Sequence, residues 1–143
     1  MTEVLHSTFT LERSYDVAPA RVFAAWADPD ARARWFAGGD TRHDFDFRVG
    51  GREVATRDGK PALRFESVYH DILPEQRIVY TSTLFADGEP ATVSLTTVQF
   101  EPDGDGTRLT LTEQGTFLDG KEHPDWREKG TSDQLDALAA ELR

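Results

Sequence analysis

The sequence predicts an α+β fold in which a curved antiparallel sheet of six or seven strands wraps one long C-terminal helix. Three observations carry this expectation. Two proline-started short helices follow the first strand within YDVAPARVFAAWADPDARARWF. From His43 to Thr116 the chain reads as strand after strand. Only after Phe117 does the apolar period become helical. An element order of this kind leaves an apolar space between sheet and helix, and a site is sought there.

The first strand, Thr8 to Val17, alternates. Phe9, Leu11, Tyr15 and Val17 point one way, with Arg13 the exception among them, and Thr10, Glu12, Ser14 and Asp16 point the other. Ala18-Pro19 opens a helix with proline at the first helical position, where its missing N–H costs nothing. Val22, Phe23 and Trp26 share a face of that helix. Asp28-Pro29 starts the second helix with an N-cap oxygen, and this helix ends in Trp35-Phe36, just before Gly38-Gly39.

His43 to Val49 alternates again, with Phe45, Phe47 and Val49 opposed to Asp44, Asp46 and Arg48, and Gly50-Gly51 turns it into Arg52 to Arg57. Asp58-Gly59-Lys60-Pro61 leads to Ala62 to Ile72, with Leu63, Phe65 and Tyr69 on one face. Arg77 to Phe85 is rich in β-formers. Ala91 to Glu101 and Thr107 to Thr116 flank the turn PDGDG. Val93 and Leu95 have the opposite parity to Val98 and Phe100, so a bulge or a face switch is expected there, and the cavity face of that strand is left unassigned. Leu135, Leu138, Ala139 and Leu142 form the stripe of the last helix. Its start has two readings, a capping box at Thr131 and Gln134 or an earlier start near His123-Pro124. The earlier start places Gly130 inside the helix at a cost of about 1 kcal/mol, which implies a use there: close approach to the sheet, or room for a ligand.

At 143 residues one domain, 1–143, is expected, large enough for a core and a cavity. The net charge of -10 disfavours nucleic acid and anionic membrane surfaces as partners. With no cysteine, disulfides and thiolate chemistry are excluded. No apolar run has signal-peptide or membrane-spanning length, so a cytoplasmic protein without membrane insertion is expected. No metal is expected, because His6, His43, His70 and His123 show no i,i+3 or i,i+4 spacing and no HExxH occurs. Arg108 and Gln114 stand where a calcium loop starting at Asp103 needs glycine and glutamate. There is no GxSxG, and Gly38-Gly39 and Gly50-Gly51 are turns rather than phosphate loops. No cofactor is expected.

The opening segment YDVAPARVFAAWADPDARARWF resembles that of the activator of heat-shock protein 90 ATPase homologue-like proteins. These belong to the START-like (SRPBCC, helix-grip, birch-pollen-allergen-type) superfamily, with polyketide cyclases and lipid-transfer proteins. FRVGGREV, FESVYHDILPEQRIVYT, GDGTRLTLTEQGTF and REKGTSDQLDALAAEL are similar to the matching family segments, from about Thr8 to Leu142. The resemblance implies the helix-grip fold and a cavity that relatives use for many ligands and several chemistries. Its likeness to the eukaryotic co-chaperone is confined to that protein's C-terminal domain, so a chaperone-linked role ranks below ligand binding. A homodimer or a protein partner stays open.

The expected function is to hold a hydrophobic or aromatic small molecule between the C-terminal helix and the sheet. The alternatives are a cyclase-, dehydratase- or hydrolase-type enzyme using the same cavity, and a chaperone-linked or regulatory interaction module. The candidate ligand-binding residues are Trp26, Trp35, Phe36, Phe45, Phe47, Phe65, Tyr69, Tyr80, Glu113, Phe117, Trp126 and Gly130. Tyr69, His70, Tyr80 and Glu113 are the polar candidates among apolar walls. Glu113 follows Leu109 and Leu111 at period 2, so it faces inward if they do. A carboxyl facing a cavity needs a partner or neutralisation, which makes Glu113 the best single candidate for catalysis.

Overall fold

The computed structural model describes residues 3–143. β1 (Leu5–Tyr15) leads into α1 (Pro19–Ala27) and α2 (Pro29–Arg32), which widens into a π-helical turn over Ala33–Ala37. β2 (Arg42–Phe45), β3 (Arg52–Arg57), β4 (Leu63–Leu73), β5 (Arg77–Ala86), β6 (Glu89–Asp103), β7 (Gly106–Phe117) and α3 (Pro124–Glu141) follow. The strands form one antiparallel sheet in the order β1-β7-β6-β5-β4-β3-β2. After β1 the chain crosses to the far edge and meanders back until β7 lies beside β1. The predicted α+β sheet with two short helices and a long terminal one is therefore the observed fold, with seven strands.

Local chemistry sets the ends of the helices. The Asp28 carboxylate accepts the Ala31 N–H at 2.9 Å and caps α2. α3 takes the earlier of its two predicted starts, with His123 Nδ1 accepting the Asp125 N–H at 3.2 Å. Thr131 is not a cap: its hydroxyl donates to the Arg127 carbonyl one turn back, at 3.0 Å. Gly51 is required by close approach, because a Cβ there would lie 2.1 Å from the Asp46 carbonyl oxygen. β2 is shorter than the predicted His43–Val49 strand, and Val49 sits exposed in the turn.

β6 shows why its parity looked broken. Thr92, Ser94, Thr96, Val98 and Phe100 all face inward without a switch, and Val93 and Leu95 face solvent. The register shift lies before them, where Leu84 pairs Thr92 and Phe85 pairs Pro90. The inner face of β6 is thus apolar at one end and hydroxylated at the other.

The core joins Val22 and Trp26 of α1, Trp35 of the π turn, Ile78, Val98, Phe100, Leu109 and Leu111 of the sheet's centre, and Leu135 and Leu138 of α3. α3 is tied to the sheet edge at its middle. Arg13 donates to Ser132 Oγ at 2.6 Å, and the Tyr15 hydroxyl donates to the Leu135 carbonyl at 3.1 Å. The odd arginine on the apolar face of β1 is one of these ties. No helix among the described residues is long and apolar enough to cross a membrane.

Candidate functional site

Between α3, the π-helical turn and the concave face of the sheet lies a cavity of about 350 Å³, within the usual range for small-ligand sites. The π turn helps to build it. Its wide hydrogen bond, Gly38 N–H to the Ala33 carbonyl at 3.0 Å, re-phases the helix so that both Trp35 and Phe36 reach the cavity. Trp35 Nε1 donates to the Ala25 carbonyl at 2.8 Å, which fixes its ring edge-on to Trp26 with centroids 4.8 Å apart.

Eight of the twelve candidates from the sequence line this space: Trp26, Trp35, Phe36, Phe65, Tyr80, Glu113, Trp126 and Gly130. A Cβ at Gly130 would meet nothing within 4 Å, so this glycine makes no close approach to the sheet and leaves open space. Trp126 is 66% exposed and stands at the mouth. The other four lie elsewhere. Phe45, Phe47 and Tyr69 pack on one another, with Phe47 against Phe23, in an aromatic cluster that joins the cavity wall through Tyr69 and Tyr80. Phe117 folds back over Gly115. His70 points outward to Thr81 Oγ1, at 2.8 Å, because it alternates with the buried Tyr69 along β4.

The polar side of the cavity is built from α3, β6 and β7. Arg127 reaches across with Nε 3.0 Å from Glu113 Oε2, Nη1 donating to Thr92 Oγ1 at 2.8 Å and Nη2 to Ser94 Oγ at 3.2 Å. Thr96 donates to Glu113 Oε1 at a long 3.3 Å. Burial raises the Glu113 pKa, and the pull of Arg127 and Thr96 does not fully cancel it. Burial likewise pushes Tyr80 up to about 12, so its hydroxyl stays protonated at neutral pH. Glu122, also on this wall, is raised by burial.

A second polar cluster, absent from the sequence-based candidates, lies behind the aromatic wall. Arg32 and Glu53 are both fully buried and paired through two 2.8 Å hydrogen bonds. The guanidinium lies 3.6 Å from the Phe36 ring centroid and within 5 Å of those of Trp26 and Trp35. His43 Nε2 is 2.8 Å from Glu53 Oε2, and the Tyr69 hydroxyl donates to Glu53 Oε1 at 3.3 Å. Burial alone would raise Glu53, but Arg32 and then His43 overcome it and hold the carboxyl at about 2. Neither charge can be matched to the other from sequence, since they stand on different elements 21 positions apart. Among the described residues no three metal-binding side chains converge.

A curved antiparallel sheet closed by one long helix over an apolar cavity is a helix-grip fold. The chain belongs to the family described as Activator of Hsp90 ATPase homolog 1-like protein, which matches residues 16–143. It is 49% identical to the Mll3558 protein from Rhizobium loti, with a TM-score of 0.92 over 97% of this chain and 99% of that one. A protein from Rhizobium leguminosarum is 35% identical, with a TM-score of 0.93 over 98% and 96%. CV1439 from Chromobacterium violaceum is 28% identical, with a TM-score of 0.80 over 94% and 96%. No curated protein matches the chain.

Proposed function

We propose that this protein binds a hydrophobic or aromatic small molecule in the cavity between α3 and the sheet. One observation carries the proposal: rings from α1, the π turn, β4 and α3 (Trp26, Trp35, Phe36, Phe65 and Trp126) border a space they do not fill. Close packing is the rule in protein interiors, so a space of about 350 Å³ left between aromatic rings supports this reading. The helix-grip fold does the same. The test is native mass spectrometry of protein purified without detergent, with organic extraction of whatever accompanies it. A discrete extra mass that extracts as an apolar molecule supports the proposal. A clean apo mass, together with no binding from an apolar aromatic library, overturns it.

A second reading, an enzyme using the same cavity, is favoured by Glu113, a buried carboxyl whose raised pKa suits it to proton transfer. Glu113→Gln would then abolish turnover of a bound molecule while leaving its binding intact. Binding without any turnover to abolish removes this reading.

A further inference from the structure

We infer that the cavity selects neutral planar ligands carrying a hydrogen-bond donor, an O–H or N–H group, which Glu113 receives. This rests on the cavity being the ligand site. The polar groups on the wall differ in what they still have to offer a ligand. Arg127 spends three of its N–H groups on Glu113, Thr92 and Ser94, and its charge is compensated by the carboxylate it touches. Glu113 has more to give. A carboxylate offers about four lone-pair sites. Arg127 takes one at Oε2, and Thr96 reaches Oε1 only at 3.3 Å. Its side chain is 8% exposed, so what it faces is the cavity rather than bulk water.

The surroundings sharpen the selection. Glu122 adds a second carboxyl to the same wall. An anionic group placed there would meet two carboxyls and an arginine whose charge Glu113 already compensates, in a largely apolar space where like charges are costly. An acceptor-only ligand would leave the free lone pairs of Glu113 unpaired and stripped of water. A donor-bearing neutral ligand satisfies them and keeps its ring among the aromatics. The competing anchor is Arg57, which lines the cavity from the exposed end of β3 and makes no salt bridge among the described residues. It would instead favour an anionic head at the rim.

Three naphthalenes of one shape separate these outcomes at neutral pH: 2-naphthol (donor), 2-methoxynaphthalene (acceptor only) and 2-naphthoate (anion), titrated calorimetrically. The expected result is 2-naphthol binding tenfold or more tighter than either of the others, a gap of about 1.4 kcal/mol. In Glu113→Gln the gap should shrink to less than about threefold, because a charge-assisted hydrogen bond becomes a neutral one. A readout that needs no variant is the emission of bound 2-naphthol. As a photoacid beside a carboxylate it should emit from the naphtholate. Equal binding of 2-naphthol and its methyl ether overturns the inference while leaving the cavity as a ligand site. Tightest binding by 2-naphthoate, lost in Arg57→Gln, overturns it in favour of an anionic ligand. No binding by any of the three, with no response from a wider apolar library, overturns the ligand site and the inference together.

Discussion

Arg32 carries a positive charge into a space enclosed by three aromatic rings and is matched there by one carboxylate. Such a pair adds little to stability over a hydrophobic replacement, but removing one partner leaves a stranded charge. Arg32→Met should therefore cost about 3–5 kcal/mol in urea unfolding, and a combined Arg32→Met, Glu53→Met variant should recover a good part of that loss. Denaturation of the two variants side by side measures the difference. If the double variant is the weaker by the sum of both, the pair is not coupled.

The same carboxylate sets an acid limit. Glu53 titrates near 2 in the folded protein against 4.5 when unfolded. Its stabilisation is present above about pH 4.5 and is lost as the pH falls toward 2. At about 1.4 kcal/mol per unit, it is on the order of 3 kcal/mol. Glu113 works in the opposite sense: its raised pKa favours the folded state at low pH, and that contribution is lost as the pH rises through its folded value. Unfolding free energy measured between pH 6 and pH 2 should fall steeply in the wild type and more gently in Glu53→Gln.

α3 holds the adaptable part of the cavity. Gly130 lies inside the helix, and its Cβ position is open. Gly130→Ala should stabilise the protein by about 0.5–1 kcal/mol, since alanine gains helix propensity without meeting a neighbour. Gly130→Phe should reach into the cavity and weaken ligand binding without lowering the melting temperature by more than a few degrees. Thermal melts and a binding isotherm on both variants check the two halves. The clamp from Arg127 to β6 matters in the same region, for it holds the first turns of α3 against hydroxyls of a strand whose inner face the sequence left unassigned.

For the molecule as a unit, ligand entry should be visible at the mouth. Trp26 and Trp35 are 2% and 5% exposed, whereas Trp126 is 66% exposed and borders the cavity. A bound aromatic ligand should change the emission of all three, most of all that of the exposed Trp126. Trp126→Phe should remove the share of that change that arises at the mouth and leave the share of Trp26 and Trp35, which also border the cavity. An emission response of unchanged size in the variant would place the entrance elsewhere.

Much of this architecture was legible in the residues. The prolines at 19 and 29 mark the two short helices, period-2 patterning marks the strands, and the leucine stripe from Leu135 marks α3. These are local properties, set by neighbouring residues and their backbone preferences. Glu113 could be placed inward for the same reason, from Leu109 and Leu111 four and two positions before it. What folding alone decided is which distant groups meet. Arg32 finds Glu53 across α2 and β3, and Arg127 finds Thr92 and Ser94 across α3 and β6. Phe45, Phe47 and Tyr69 pack on one another, with Phe47 against Phe23, instead of lining the cavity. Each of these depends on sheet curvature and strand register, which place residues far apart in the chain within a few ångströms, and no local pattern encodes those distances.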